Sequence, residues 1–248
     1  MAHSNRDPAL RASVAIASRI LNAEGILDYS GHVSVRAPGR EAYFIQAGSD
    51  PRSDLEPDRL LLVDFDGRVV EGEGKPPIEA AIHGEIYRQR ADVEAVLHSH
   101  MELAIAFTLM QDAQLKPMRA RAVRWASGIP THPDPSHIKL PEQGRALAQT
   151  LGPHQAALIR AHGLVLVAES IPALLVDAVH FEENAKAQIQ VMQAGQVPVP
   201  LNEAEMEQIN RHEVRDYHCS KLWTYYLSRA RKSGLVPDHP SFEVEREV

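Results

Sequence analysis

The sequence predicts an α/β fold built on a mainly antiparallel sheet, and three observations support this prediction. Apolar residues recur every three or four positions in several long segments, which is the period of an amphipathic helix. Shorter segments between them alternate apolar and polar residues, which is the period of a strand. The dipeptide Asp66-Gly67 separates two such short segments and is typical of the tight turn of a β-hairpin. Hairpins interleaved with helices therefore indicate neighbouring strands that run antiparallel.

The helices follow from periodicity and from residues that favour helix boundaries. The first begins at Asp7 and ends before Gly25, since Asp-Pro is a start signal and glycine a stop signal. Glu79 is expected in the first turn of the second helix. Pro76 and Pro77 precede it at the start of the helix, where the amide proton that proline lacks would have no partner within the helix. The predicted helices span residues 7–24, 78–89, 101–110, 141–151, 171–194 and 203–232.

The strands follow from alternation and from short apolar runs. Val33 and Val35 alternate with polar residues, and two further segments flank Asp66-Gly67. One apolar run continues into His98 and His100, and others lie on either side of His162. The predicted strand segments are 29–36, 43–46, 60–64, 68–70, 93–100, 156–159 and 164–167.

Length and composition predict one domain over residues 1–235, because 248 residues with 44% hydrophobic content suffice for one large core. Residues 236–248 are polar and contain proline, and a loose C-terminal tail is expected there. A formal charge of -7 disfavours nucleic acid as a partner. Cys219 is the only cysteine, which suits the reducing cytoplasm, and no apolar run reaches the ~18 residues of a membrane span. The expected partner is a small molecule.

Three histidines form a candidate metal site. His98 and His100 are two positions apart on a predicted strand, so their side chains point to the same side. His162 ends another apolar run. Three neutral imidazoles with an open fourth position are the ligand set of a catalytic zinc or a similar divalent ion. An ordinary half-buried role for these histidines is the alternative.

From Leu10 to Tyr226 the chain resembles the class II aldolase/adducin family, which includes sugar-phosphate aldolases, epimerases and aromatic carboxylate decarboxylases. The resemblance lies in four motifs: residues 30–36, Glu79 with His83, residues 98–100 and residues 160–163. It implies an α/β/α sandwich, a metal held by His98, His100 and His162, and Glu79 as the catalytic acid/base. It also implies a homotetramer with the site at a subunit interface.

Departures from the family pattern bear on the substrate. Where the sugar-phosphate aldolases hold phosphate with asparagine, a Ser/Thr-Gly pair and two serines, this chain has His32, Ala47-Gly48 and Pro77-Ile78. A phosphate needs several donors, and Pro77 lacks even an amide proton. Residues 141–145 and 181–185 instead resemble the branch that decarboxylates hydroxylated aromatic or pyridine carboxylates.

The expected function is a metal-dependent carbon–carbon lyase that decarboxylates a hydroxylated aromatic or heteroaromatic carboxylate with one Zn2+ or Mn2+ per chain. Glu79 would carry the proton if burial moved its pKa toward neutrality; otherwise it is only a favourable anion at a helix N-terminus. An aldolase or epimerase that acts on a small, unphosphorylated hydroxy-carbonyl compound is the enzymatic alternative. A non-catalytic scaffold, as in adducin, is the other, and the intact histidine triad argues against it.

Four further residues are candidate substrate contacts. His32 can donate to a carboxylate or be satisfied by the backbone of a turn. Gly48 and Ser49 can line the pocket or form a turn. Arg124, with Arg119 and Arg121, can clamp a carboxylate with a bidentate fork, or these arginines can form a solvated charged face.

Overall fold

The computed structural model describes residues 7–244. The strands are β1 His32–Arg36, β2 Ala42–Ile45, β3 Leu61–Asp64, β4 Val69–Glu71, β5 Ala95–Ser99, β6 Thr131–His132, β7 Ala156–Ile159 and β8 Gly163–Ala168. The α-helices are α1 Asp7–Ala23, α2 Ala80–Gln89, α3 Glu102–Ala106, α4 Pro141–Leu151, α5 Ile171–Gln193, α6 Glu203–His212 and α7 Arg215–Lys232. No helix in this part of the chain is both long and apolar enough to cross a lipid bilayer.

The strands form a single sheet in the order β4-β3-β2-β1-β5-β8-β7-β6. Every neighbouring pair is antiparallel except β6 and β7, which are parallel. The central strands β5 and β8 are buried along their whole length, because helices cover both faces of the sheet. The α/β fold with a mainly antiparallel sheet is therefore confirmed.

Alternate residues of each central strand enter two different cores. Leu97 faces a core that contains α1, α3, α5 and α7 residues, whereas Val96 faces a second core built with α2 and α4. Side chains of successive strand residues point to opposite faces, so a continuous apolar run fills both layers. The result is the α/β/α sandwich that the family resemblance implies.

Two predicted helices differ from the observed ones. The predicted helix 203–232 is divided between His212 and Arg215, because Glu213 and Val214 leave the helical conformation. The carboxylate of Glu213 binds Arg121 there, and α7 then packs against α5. The predicted helix 101–110 is an α-helix only to Ala106 and continues as one turn of 3-10 helix.

The prediction of a loose tail from residue 236 is wrong for residues 236–244. Val236 and Phe242 are each only 1% exposed, and the guanidinium of Arg19 lies 4.9 Å from the centre of the Phe242 ring. Two apolar side chains in a polar segment thus suffice to attach it to the core, since burial of each removes a large apolar surface from water. Residues 245–248 lie outside the described part of the chain.

Candidate metal centre

The central strands bring the three predicted histidines to one end of the sheet. β5 and β8 are antiparallel neighbours in which Ser99 pairs with Leu164. His98 lies in β5 and His100 directly follows it, while His162 directly precedes β8. Because the two strands run in opposite directions, the end of β5 lies beside the start of β8.

Glu79 joins the histidines as a fourth group. It is the N-cap residue of α2 rather than a member of the first turn. One ligand-type atom from each of Glu79, His98, His100 and His162 lies within 4.8 Å of the other three. Nε2 of His98 is 3.4 Å from Oε2 of Glu79, and Nε2 of His162 is 3.5 Å from Oε1. Three imidazoles and one carboxylate therefore converge on one point.

Hydrogen bonds fix which nitrogen of two imidazoles faces this point. Nδ1 of His98 donates to the carbonyl oxygen of Leu164 at 3.0 Å, and Nδ1 of His100 donates to Oδ2 of Asp28 at 3.0 Å. The Nε2 atom of each neutral ring is therefore left with a free lone pair. Nε2 of His98 and both ring nitrogens of His162 are buried and have no hydrogen-bond partner. Unpartnered buried nitrogens are rare unless an ion or water satisfies them, so these residues fit a divalent metal.

Asp28 holds His100 in place but is absent from the residues that the sequence predicts. Its Oδ1 accepts hydrogen bonds from the amides of Ser30 and Gly31 at 2.9 and 2.8 Å. Burial raises the pKa of Asp28, but these amides and His100 outweigh burial and leave the pKa below its usual value. A carboxylate behind a metal-binding histidine fixes the ring and raises its basicity. The available signal is the Asp-x-Ser-Gly pattern, which favours an Asx turn.

The turn before β8 depends on two small residues. Ala161 has a φ of 53°, a left-handed conformation that costs a residue with a Cβ atom free energy and is often found at functional sites. A Cβ atom on Gly163 would lie 2.7 Å from the carbonyl oxygen of Ser99, 3.0 Å from Cδ2 of His100 and 3.1 Å from Cε1 of His98. Glycine is therefore required for the two strands to approach closely enough to bring the histidines together.

The groups around Glu79 favour its carboxylate form. Its Oε1 accepts a hydrogen bond from the amide of Ile138 at 2.8 Å. Burial raises the pKa of Glu79, but His162 and His98 in their protonated forms, together with this amide, outweigh burial and hold the pKa well below the usual glutamate value. The expected upward shift thus has the wrong sign. A buried carboxylate in this state accepts a proton or contributes a ligand to a cation.

His32 is a buried neighbour of the histidine cluster. It is the first residue of β1 and is 1% exposed. Its Nδ1 is 2.6 Å from Nε2 of His83, and its ring centre is 5.0 Å from that of His98. Burial, together with the charge that His98 can carry, lowers the pKa of His83 to about 3. The ring of His32 thus packs against His98, and donation from His32 to a substrate carboxylate stays a prediction.

Gly48 and Ser49 lie in an exposed turn beside the segment that leads to Glu79. The amide of Gly48 donates to the carbonyl oxygen of Lys75 at 2.9 Å. A Cβ atom on Gly48 would lie 3.3 Å from both the carbonyl oxygen of Pro76 and Cα of Pro77. The turn therefore packs against the segment that leads into α2. A role of Gly48 and Ser49 in substrate binding stays a prediction.

Arg124 does not belong to the metal centre of its own chain. Its guanidinium lies 2.9 Å from Glu169 and 3.1 Å from Asp177. Glu169 follows the far end of β8, six residues from Gly163, which at the usual rise per residue is about 20 Å along the strand. The predicted clamp is wrong for this site, because two carboxylates of the same chain already hold the guanidinium.

Comparisons with known proteins agree with this fold. Residues 12–189 match the Class II Aldolase and Adducin N-terminal domain. The chain is 27% identical over 233 residues to 3,4-dihydroxyphthalate decarboxylase of Arthrobacter keyseri, covering 88% of this chain and 93% of that protein. It is 24% identical over 174 residues to L-fuculose phosphate aldolase of Methanocaldococcus jannaschii, covering 70% of this chain and 91% of that protein.

A solved structure of an aldolase II superfamily protein from Pseudomonas syringae superposes with a TM-score of 0.79 at 22% identity, covering 94% of this chain and 96% of the other. The sandwich and the match over residues 12–189 define a class II aldolase-type protein. The chain belongs to the class II aldolase and adducin family, and decarboxylases are among its relatives.

Proposed function

We propose that this protein is a metal-dependent lyase that removes carbon dioxide from a hydroxylated aromatic or heteroaromatic carboxylate. The observation that carries the proposal is the set of imidazoles whose unpartnered nitrogens converge beside the ionised Glu79. The relative from Arthrobacter keyseri, whose name gives a decarboxylase of a dihydroxylated aromatic acid, supports the same reaction class.

The surroundings of Glu79 support an aromatic acid over a sugar phosphate. Pro77 has neither an amide proton nor a polar side chain, and the amide of Gly48 already donates to Lys75. Ile78 is 72% exposed and offers an apolar surface beside the site. A phosphate would lack several of the charge-assisted hydrogen bonds that it needs, each worth roughly 1.5–3 kcal/mol. An aromatic ring gains from contact with apolar side chains.

His98, His100 and His162 would hold the ion, and a divalent ion there would stabilise negative charge on the oxygens of the substrate as a Lewis acid. Glu79, as a carboxylate, would accept the proton of the substrate hydroxyl, whose acidity a bound divalent ion would raise. The bond between the ring carbon and its carboxylate then breaks, carbon dioxide leaves, and the electron pair stays on the ring carbon. Glu79 returns the proton to that carbon, so the products are carbon dioxide and the decarboxylated phenolate, which takes up a proton from solvent to become the phenol.

Three imidazoles without a thiolate suit Zn2+ and, less specifically, Mn2+, and one ion per chain is proposed. The proposed assembly is a homotetramer. Tyr29, which follows the residue that holds His100, is 88% exposed, and a second subunit would cover such an aromatic side chain. Light scattering of the purified protein measures the subunit count.

The reaction is tested by incubating the zinc-loaded or manganese-loaded protein with two compounds in parallel. With 3,4-dihydroxyphthalate, the named substrate of the relative, or a similar hydroxylated aromatic acid, we expect carbon dioxide release. With L-fuculose 1-phosphate we expect no aldehyde. His162→Ala is the inactive control. Efficient aldehyde release would instead favour an aldolase, the activity named for the relative from Methanocaldococcus jannaschii.

A further inference from the structure

One imidazole lies beside the metal centre without being one of its ligands. Nδ1 of His137 is 3.6 Å from Oε1 of Glu79, and its ring stands nearly perpendicular to that of His162 with ring centres 5.3 Å apart. The side chain of His137 is 69% exposed, whereas the side chains of His98 and His162 are buried. A molecule that approaches the cluster from this side contacts His137 before it reaches the ligands.

The loop that carries His137 keeps its shape without help from the imidazole. The amide of Ile138 donates to Glu79 at 2.8 Å, and the side chain of Ile138 is buried in the core between the sheet and α2 and α4. On the other side, the amide of Ser136 donates to Oδ1 of Asp134 at 2.9 Å. The separation of 3.6 Å between His137 and Glu79 exceeds hydrogen-bonding distance. The imidazole is thus an exposed polar group on a fixed support.

We propose that His137 is a substrate-binding residue that donates a hydrogen bond to an oxygen substituent of the aromatic acid beyond the hydroxyl and carboxylate that face the metal centre. This inference rests on the proposed function. A neutral imidazole always has one N–H donor, so the contact requires no change of protonation. The hydrogen bond is strongest when the acceptor is ionised. His137 therefore favours aromatic hydroxy acids that carry a second carboxylate.

The test measures binding of two acids to the zinc-loaded protein by titration calorimetry. The first acid, 2-hydroxybenzoate, has only the hydroxyl and carboxylate; the second, 2-hydroxybenzene-1,3-dicarboxylate, adds one carboxylate. In His137→Ala we expect the dicarboxylate to bind roughly tenfold to a hundredfold more weakly, as for loss of a hydrogen bond to a charged group. Binding of 2-hydroxybenzoate should change far less. His137→Gln, which keeps an N–H donor, should restore part of the difference.

His212→Ala, which removes an exposed imidazole at the end of α6, is the matched control and should behave as the wild type. If the wild type binds neither acid, the proposed function fails and this inference fails with it. If both acids bind and His137→Ala leaves their affinity ratio unchanged, only the role of His137 is overturned. Zinc content is measured in every sample, and loss of zinc from His137→Ala would also overturn the proposal by showing that His137 supports the metal.

Discussion

Replacement of Asp28 by asparagine is expected to weaken metal binding by His100 while the fold persists. The Asp28 carboxylate accepts three hydrogen bonds, two from the amides of Ser30 and Gly31 and one from Nδ1 of His100. An asparagine has one acceptor oxygen and one donor nitrogen, so it can satisfy either the two amides or the imidazole. If it satisfies the amides, its donor nitrogen faces Nδ1 and favours the tautomer of His100 that carries its proton on Nε2. That tautomer cannot bind a metal through Nε2.

The size of the effect follows from losing one oriented ligand. Mutation of such a supporting residue typically lowers metal affinity by about tenfold to a hundredfold, which corresponds to about 1.4–2.7 kcal/mol of binding free energy. The two backbone hydrogen bonds can persist in the variant. The free energy of unfolding without metal should therefore change less than the free energy of zinc binding.

The measurement is competition for Zn2+ against a chromophoric chelator, with urea unfolding of the metal-free protein in parallel. Asp64→Asn is the matched control, because Oδ1 of Asp64 also accepts two backbone amides, those of Asp66 and Arg68, in the hairpin between β3 and β4. Unchanged zinc affinity in Asp28→Asn would refute the positioning role. An equal loss of zinc affinity in Asp64→Asn would attribute the effect to general destabilisation.

Four other substitutions test the site and its surroundings. His162→Ala should lose the ion, since two imidazoles hold it too weakly; elemental analysis that found full metal content would disprove the triad. Glu79→Gln should keep zinc but lose on the order of a hundredfold or more in turnover, and a near-normal rate of carbon dioxide release would move the proton transfer elsewhere. Gly163→Ala should destabilise the fold by roughly 1–3 kcal/mol and weaken zinc binding, because the new Cβ atom would lie 2.7 Å from a backbone oxygen of β5. An unchanged thermal unfolding temperature would contradict the close approach of the two strands. Burial raises the pKa of Glu169, but Arg215 and Arg124 outweigh burial and lower this pKa. The stabilising contribution of the Glu169 carboxylate is therefore present above the unfolded-state pKa of about 4.3. It is lost as the pH falls through the lower folded-state pKa. The stability difference between wild type and Glu169→Gln should therefore be present at pH 7 and shrink in acid, and a difference independent of pH would exclude this ion pair as its cause.

Sequence patterns were sufficient to predict the elements that depend on neighbouring residues. The strand that ends at His98 and His100 follows from a short apolar run, and the hairpin at Asp66-Gly67 from the conformation that these two residues favour. The division of the last predicted helix at Glu213 was not predictable in the same way. Its ion pair with Arg121 joins residues 92 positions apart, and no local period indicates such a contact.

The same distinction separates the candidate metal ligands from the residues around them. His98, His100 and His162 were predictable as candidates because imidazole is a specific ligand type and each residue lies in or next to a short apolar run. Their tautomers were not, since the acceptor for His100 is Asp28, 72 residues away. His32 and Arg124 have side chains suited to a carboxylate, and only the packed chain shows that His32 is buried against His98 and that Arg124 is held by Asp177.

The sequence by itself determined the secondary-structure periods, the three imidazoles and the carboxylate of Glu79, because these are properties of residue type and local spacing. Tertiary structure decided which polar side chains are free to meet a ligand. A histidine in the sequence can belong to a candidate metal site, be a buried neighbour of that site, or be an exposed donor, as His98, His32 and His137 are. Which of these it becomes depends on the solvent exposure and hydrogen-bond partners that distant segments provide on folding.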